Sequence, residues 1–264
     1  MHKTPLLETR DLTIQFGAVV AVDSISVQIH EGEVVGLIGT NGAGKTTFIN
    51  MVTGYLKPTR GSIALGGEAV AGANPRKMVA RGVARSFQVP QLFPEMTVLE
   101  HIVISLALAA QHQQGLLHRL GTTGRIGQAE AILQTFGLSA IAQRPVSLVP
   151  QGQRKLIDIA MALSLKPRLL FLDEPTSGVS SAEKVPLMEV VFEAIRAYGV
   201  TVLFVEHDMD IVARYVTRLM AFRDGRLIAD GLPAEVMQDA QVSSAVLRQR
   251  KPADSPQTAQ QEPA

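Results

Sequence analysis

The stretch 34–54 constrains this chain more than any other. An unbroken apolar run, Val34-Val35-Gly36-Leu37-Ile38, leads into Gly39-Thr40-Asn41-Gly42-Ala43-Gly44-Lys45-Thr46, then into helical spacing from Thr46 through Val52 with Gly54 as its stop signal. A run of strand length that is continuous rather than alternating predicts a strand buried on both faces, as in a parallel sheet covered by helices. The residues between strand and helix fit G-x-x-x-x-G-K-[ST], in the context that gives this spacing its meaning. Glycines let the backbone turn until its N–H groups converge on phosphate oxygens, and the helix start adds the positive end of its dipole. In such a loop Lys45 brings a point charge to the β- and γ-phosphates, and the Thr46 hydroxyl is a hard oxygen ligand for Mg²⁺. The loop from Gly39 through Thr46, with Thr47 behind it, is therefore the candidate site for nucleotide phosphates, with Mg²⁺ as the accompanying ion. Two other glycine patterns fail. Gly42 and Gly44 begin a dinucleotide-binding G-x-G-x-x-G, but Thr47 stands where the third glycine belongs. Gly178-Val179-Ser180-Ser181-Ala182 lacks the last glycine of a nucleophile elbow.

A phosphate loop needs acidic groups on a neighbouring strand, and Leu169-Leu170-Phe171-Leu172-Asp173-Glu174 supplies them. Asp173, at the strand end, can hold the metal through its water shell. Glu174 can accept a proton from the water that attacks the γ-phosphate. Around these motifs the pattern predicts strands at 12–14, 19–29, 62–65, 168–172 and 201–205, a helix at about 182–198 closed by Gly199, and a terminal hairpin around Asp224-Gly225. The middle of the chain, about 97–165, reads as helical, with apolar spacing over 98–110, 126–136 and 154–165. Strand, helix, strand order on either side of it argues for a parallel sheet with helical crossovers.

With both motifs in place, the chain from about Leu7 to Val236 resembles an ATP-binding-cassette (ABC) transporter ATPase subunit. The resemblance implies an α/β fold of the P-loop NTPase, ABC type: a mixed sheet with a parallel core, an antiparallel β subdomain and a helical subdomain. It implies a single ATPase domain over 1–250, with the helical subdomain inserted at about 91–165. The remainder, 251–264, with Pro252, Pro256 and Pro263 among Gln, Ala and Ser, is expected to be a disordered tail. Further family landmarks fall in order. Phe16 matches the aromatic that stacks on adenine, Gln88 the glutamine that senses the metal and γ-phosphate, and His207 the switch histidine that contacts the γ-phosphate. Taken alone, each would read as an ordinary strand hydrophobe, a solvated glutamine or a structural histidine.

Two departures stand out. The family signature, typically L-S-G-G-Q, aligns with Val149-Pro150-Gln151-Gly152-Gln153, just before a helix expected to begin near Arg154. In the family this signature faces the nucleotide on a second subunit, so Pro150, Gln151, Gly152 and Gln153 are candidate nucleotide contacts in trans. Pro150 offers neither a hydroxyl nor an N–H, and each such hydrogen bond to a charged group is worth roughly 1.5–3 kcal/mol. A weakened but working contact is expected. The second departure is Ser180, where the family usually has Asp, which bears on communication between subunits.

The similarity narrows to the branched-chain amino-acid importer group, through Arg85-Ser86-Phe87-Gln88, Leu92-Phe93-Pro94-Glu95-Met96-Thr97-Val98-Leu99-Glu100 and Gly231-x-Pro233-x-Glu235-Val236. It implies a second ATPase subunit, identical or homologous, transmembrane permease subunits and, indirectly, a solute-binding protein. Met96, Val98 and Leu99 become candidates either for the permease contact or for core. The alternative is a soluble ABC ATPase acting on DNA or ribosomes. Composition favours the transporter: 25 Lys+Arg against 24 Asp+Glu gives a net charge of +1, a poor match to nucleic acid. Mean hydropathy is +0.17, yet the most apolar run, 102–110, is about half the ~20 residues of a membrane span. With no cysteine and no apolar leader after Met1, a cytosolic chain is expected, and the resemblance implies a peripheral place on the cytoplasmic face of the cell (inner) membrane.

Overall fold

A computed structural model describes residues 4–70, 72, 74–114 and 123–244; the expected tail, 251–264, lies outside them. In chain order, β1 (Leu7–Phe16) and β2 (Val19–Ile29) form a hairpin, and β3 (Val34–Gly39) leads through the glycine loop into α1 (Lys45–Val52). A second hairpin, β4 (Arg60–Leu65) and β5 (Glu68–Ala69), precedes α2 (Pro75–Ala80) and β6 (Val83–Ser86). The helices α3 (Val98–Gln114), α4 (Thr123–Thr135) and α5 (Gln151–Ser164) follow. The chain then runs through β7 (Leu169–Asp173), α6 (Ser181–Tyr198), β8 (Thr201–Val205), α7 (Met209–Tyr215), β9 (Arg218–Arg223), β10 (Arg226–Gly231) and α8 (Pro233–Gln238).

These strands make two sheets. One is antiparallel with order β2-β1-β4-β5; the other has order β10-β9-β3-β8-β7-β6 and is parallel throughout except at β10. The unbroken apolar runs follow from burial of the six-stranded sheet on both faces. On β7, Leu169 and Phe171 face a cluster shared with β1, β2 and α1, while Leu170 and Leu172 face a cluster built with α3, α5, α6 and α7. The helix α1 lies between the two sheets, with Phe48, Ile49, Met51 and Val52 buried and the Phe48 ring 5.6 Å from that of Phe222.

Parallel alignment brings β3, β7 and β8 to the same sheet edge. Val205 pairs with both Leu37 and Asp173, so Gly39, Glu174 and Glu206 leave their strands side by side. Everything expected of the site is carried by loops at this edge, where ligands of open parallel sheets bind.

The structure corrects two boundaries. The first strand is longer than the expected 12–14, because register shifts between Thr9 and Gln15, with Asp11 at φ 46°, break the alternation that reveals a strand. The helix expected near Arg154 begins at Gln151, with Pro150 at its N-cap and the Arg154 N–H bonded to the Pro150 carbonyl at 3.0 Å. Proline's fixed φ, here −59°, suits that position, and Gly152 sits inside the first turn rather than before it. Between β6 and β7 the described residues hold no strand, and α3 packs on α4 and α5. There Val98 is core, whereas Met96 and Leu99 are half-buried; exposed apolar side chains nearby include Val89 and Phe93.

Candidate nucleotide site

The glycine loop owes its shape to close approach of backbone. At Gly44, φ is 98° and an added Cβ would lie 2.6 Å from the Ala21 carbonyl oxygen; at Gly39, φ is 153° and the Cβ would lie 2.4 Å from the Phe222 oxygen. Only glycine meets both demands at these two positions. The loop is tied down further by the Ala43 N–H donating to the Thr40 oxygen at 3.1 Å and the Gly225 N–H donating to the Ala43 oxygen at 3.1 Å. Gly44 caps α1 without a side-chain acceptor, and the first turn carries no acidic residue. The N–H groups of Lys45, Thr46 and Thr47 and the positive helix end are therefore left for an anion.

Lys45 is buried, and its Nζ donates to the carbonyls of Gly39 at 2.7 Å and Thr40 at 3.0 Å. Burial lowers its pKa from the ordinary lysine value, opposed by the charges of Glu174 and Asp173. A cavity of about 530 Å³ opens over the loop, lined by Asn41 through Thr47 together with Ala21, Gln88, Glu174 and His207.

Three of the expected residues meet at one carboxylate. The Glu174 Oε2 accepts from Gln88 Nε2 at 2.6 Å, and Oε1 lies 3.0 Å from His207 Nε2. Both oxygens of Glu174 are thus oriented by side chains from other loops. Its backbone is in the left-handed region, φ 47°, which costs a non-glycine residue on the order of 1–2 kcal/mol and persists only where surroundings hold it. The surroundings are visible: its N–H donates to the Val205 oxygen at 3.0 Å and its carbonyl accepts from Lys155 Nζ at 3.0 Å. Next door, the buried Glu206 accepts from the Thr176 N–H at 2.9 Å, from its hydroxyl, and from the His207 N–H at 3.0 Å, fixing the loops after β7 and β8 to one another.

Asp173 ends β7 in an ion pair with Arg85 at 2.6 Å, both side chains less than a tenth exposed. The guanidinium also donates to Asn50 of α1 at 2.5 Å and lies over the rings of Phe87 and Tyr55. Arg85 engages only Oδ2 of Asp173. The oxygen donors Thr46, Gln88 and Asp173 suit a hard divalent ion. The described residues contain no group of three or more His, Cys, Asp or Glu that could cage a metal.

The remaining expected residues stand apart from the cavity. Phe16 ends β1, about half exposed, and does not line it; Ala21 of β2 does. Pro150 and Gln151 are exposed at the start of α5, with Gly152 and Gln153 half-buried behind them, also outside the cavity. Ser180 caps α6, but its hydroxyl donates to Glu183 and accepts no backbone N–H of the first turn.

Sequence reading missed Arg85, Lys155, Asp158 and Glu206, all charged and all at least half-buried. Arg85 was inside a quoted motif, and a cation in a strand that ought to be apolar is the signal that could have found it. Burial pushes the Asp158 carboxyl up to about 6, against the lowering effects of the Phe87 N–H, Lys155 and the Gln91 N–H.

Comparison with known proteins agrees with this geometry. A family described as ABC transporter matches residues 22–177. The Salmonella typhimurium high-affinity branched-chain amino acid transport ATP-binding protein LivG is 37% identical over 254 residues, 92% of this chain and 98% of its own. The Pseudomonas aeruginosa counterpart, BraF, is 35% identical over the same shares. A crystal structure of an ATP-binding cassette of an ABC transporter in its ADP conformation matches with a TM-score of 0.80 at 31% identity, covering 91% of this chain and 97% of that one.

Two predictions follow from the buried charges. Arg85→Met leaves Asp173 buried without its partner and should cost about 3–5 kcal/mol in urea unfolding; a loss under 1 kcal/mol would show that the pair is solvated. For Asp158, the folded pKa of about 6 lies above the unfolded 3.8, so the folded chain keeps a proton that the unfolded chain releases. Its contribution therefore declines as pH rises from 4 to 6, reaching a penalty of roughly 3 kcal/mol at most. Asp158→Asn, neutral and still an acceptor, should raise the Tm at pH 8 and do so progressively less toward pH 4. A pH-independent difference in Tm would contradict this.

Proposed function

Because this chain belongs to the ABC transporter family of ATPases, we propose that it is the ATP-hydrolysing subunit of an importer for branched-chain amino acids or related small solutes. The observation that carries the hydrolytic part is the Glu174 carboxylate, held between Gln88 and His207 at the open end of the loop that carries Lys45. The substrate class rests on LivG and BraF, whose names state branched-chain amino acid transport.

In this reading the triphosphate lies along the loop, with its β- and γ-phosphates on the N–H groups of α1 and on Lys45. Lys45 exchanges the Gly39 and Thr40 carbonyls for phosphate oxygens. Thr46, Gln88 and, through water, Asp173 would hold Mg²⁺, which would supply charge neutralisation at the phosphates. Glu174 takes a proton from the attacking water. A carboxylate offers about four lone-pair sites, so two donors orient it and leave it able to act as base. His207, on the far oxygen, keeps Glu174 turned toward the cavity and lies within reach of the γ-phosphate end.

A single chain leaves the α5 start uncovered, with Leu148, Pro150 and Gln151 exposed. The orphan N–H groups of Gln151, Gly152 and Gln153 suit a nucleotide carried by a second ATPase subunit, so that two ATP molecules lie between two cassettes. Permease subunits hold the pair at the cytoplasmic face of the membrane. Among the described residues no helix is long and apolar enough to cross a membrane. Exposed Val89 and Phe93, beside Gln88 and ahead of α3, suit that contact.

Lys45→Ala should lower ATP affinity at least tenfold. Glu174→Gln should bind ATP like the unaltered protein and lower kcat at least a hundredfold; full hydrolysis by that variant would remove Glu174 as base. Pro150→Ser restores a hydroxyl at the α5 cap and should raise ATP turnover of the assembled transporter. Unchanged turnover would mean that the trans contact needs no side chain at that position.

A further inference from the structure

We propose that Lys155 and Asp158, one turn apart on α5, form a polar clasp that positions Gln88 and Glu174. The inference rests on the reading of the site given above and extends it to two residues that do not touch nucleotide.

Lys155 is 1% exposed and makes no ion pair among the described residues. Its Nζ donates instead to two main-chain carbonyls, that of Gln88 and, at 3.0 Å, that of Glu174. Lysine is almost never fully buried without a carboxylate partner, and an aliphatic side chain would fill the space with no desolvation penalty. What an ammonium adds is a fixed anchor for carbonyls from two separate loops, one after β6 and one after β7. Because both contacts are to backbone, they set where the two residues sit, while the Gln88 and Glu174 side chains stay free to meet each other.

Asp158 completes the grip. Its Oδ2 accepts from the Phe87 N–H at 2.9 Å. The Phe87-Gln88 segment is therefore held at its N–H end by the anion of α5 and at its C=O end by the cation of α5. The left-handed backbone of Glu174, φ 47°, is pinned from the same side through its carbonyl. Between Gln151, where α5 begins, and Lys155 the helix rises by about 6 Å. A displacement of α5 at its first turn thus carries the anchor of Glu174 with it.

The test uses the full chain with Mg²⁺ and ATP, and measures kcat alongside equilibrium affinity for a fluorescent ATP analogue. Lys155→Met should lower kcat at least tenfold while affinity stays within about twofold, since the phosphate loop is untouched. Lys155→Arg, which restores the charge and two donors, should recover at least a third of the lost turnover. A kcat within twofold of the unaltered protein would overturn the proposal. So would a loss of affinity parallel to the loss of kcat, which is what a merely structural role produces. Should Lys155→Met fail to fold, Lys155→Gln, with one neutral donor, is read by the same two criteria. Glu174→Gln runs beside them: normal turnover in that variant means the reading of the site has failed, whereas its loss together with a fully active Lys155→Met means that only the clasp has.

Discussion

Parallel alignment of β3, β7 and β8 is the constraint on which the rest depends. Three strands that run the same way deliver their C-terminal loops to one edge, and the pairing of Val205 with both Leu37 and Asp173 fixes their relative height. The glycine loop, the acidic pair and the histidine loop thus become neighbours although they are far apart in sequence. The alignment requires helical crossovers on both faces, which is why the strands are apolar at consecutive positions and why α1 is walled in between two sheets.

Charge inside this edge is managed by pairing across loops. Arg85 meets Asp173, Lys155 meets two carbonyls, and Glu206 collects the N–H groups of Thr176 and His207. Each of these groups would be costly to bury alone. Satisfied, they tie the loops to one another, and Glu174 can keep a conformation that it would not adopt in isolation.

The sequence exposed the parts of this arrangement that are local. The loop at 39–46 carries its meaning in adjacent residues, and Asp173-Glu174 follows directly from an apolar run. His207 was placed by the family resemblance, with its position two residues after a buried strand setting it apart from the other histidines. What stayed hidden was long-range. Nothing near Lys155 or Asp158 in sequence announces that their partners are Glu174 and Phe87, and Arg85 looks like a chance charge until Asp173 is opposite it. The start of α5 was misplaced because Gly152 and Pro150 are poor helix formers, and capping geometry overrode that preference. Phe16 was assigned to the base by likeness alone; in the structure it ends β1 at a hairpin, outside the lining of the cavity over the phosphate loop.

The contact between Gly44 and the Ala21 carbonyl has a further consequence. Because the loop is wedged between β2 and the turn at Gly225, its conformation is held by contacts of the fold itself and not by a ligand. The ordering entropy of the cradle belongs to folding, not to binding, and a phosphate chain meets donors that need not be gathered. On the proposed reading of the site, the part that moves is the Lys45 side chain, now bonded to two carbonyls that phosphate oxygens would replace. Association at this loop is thus closer to the filling of a mould than to the closing of a hand.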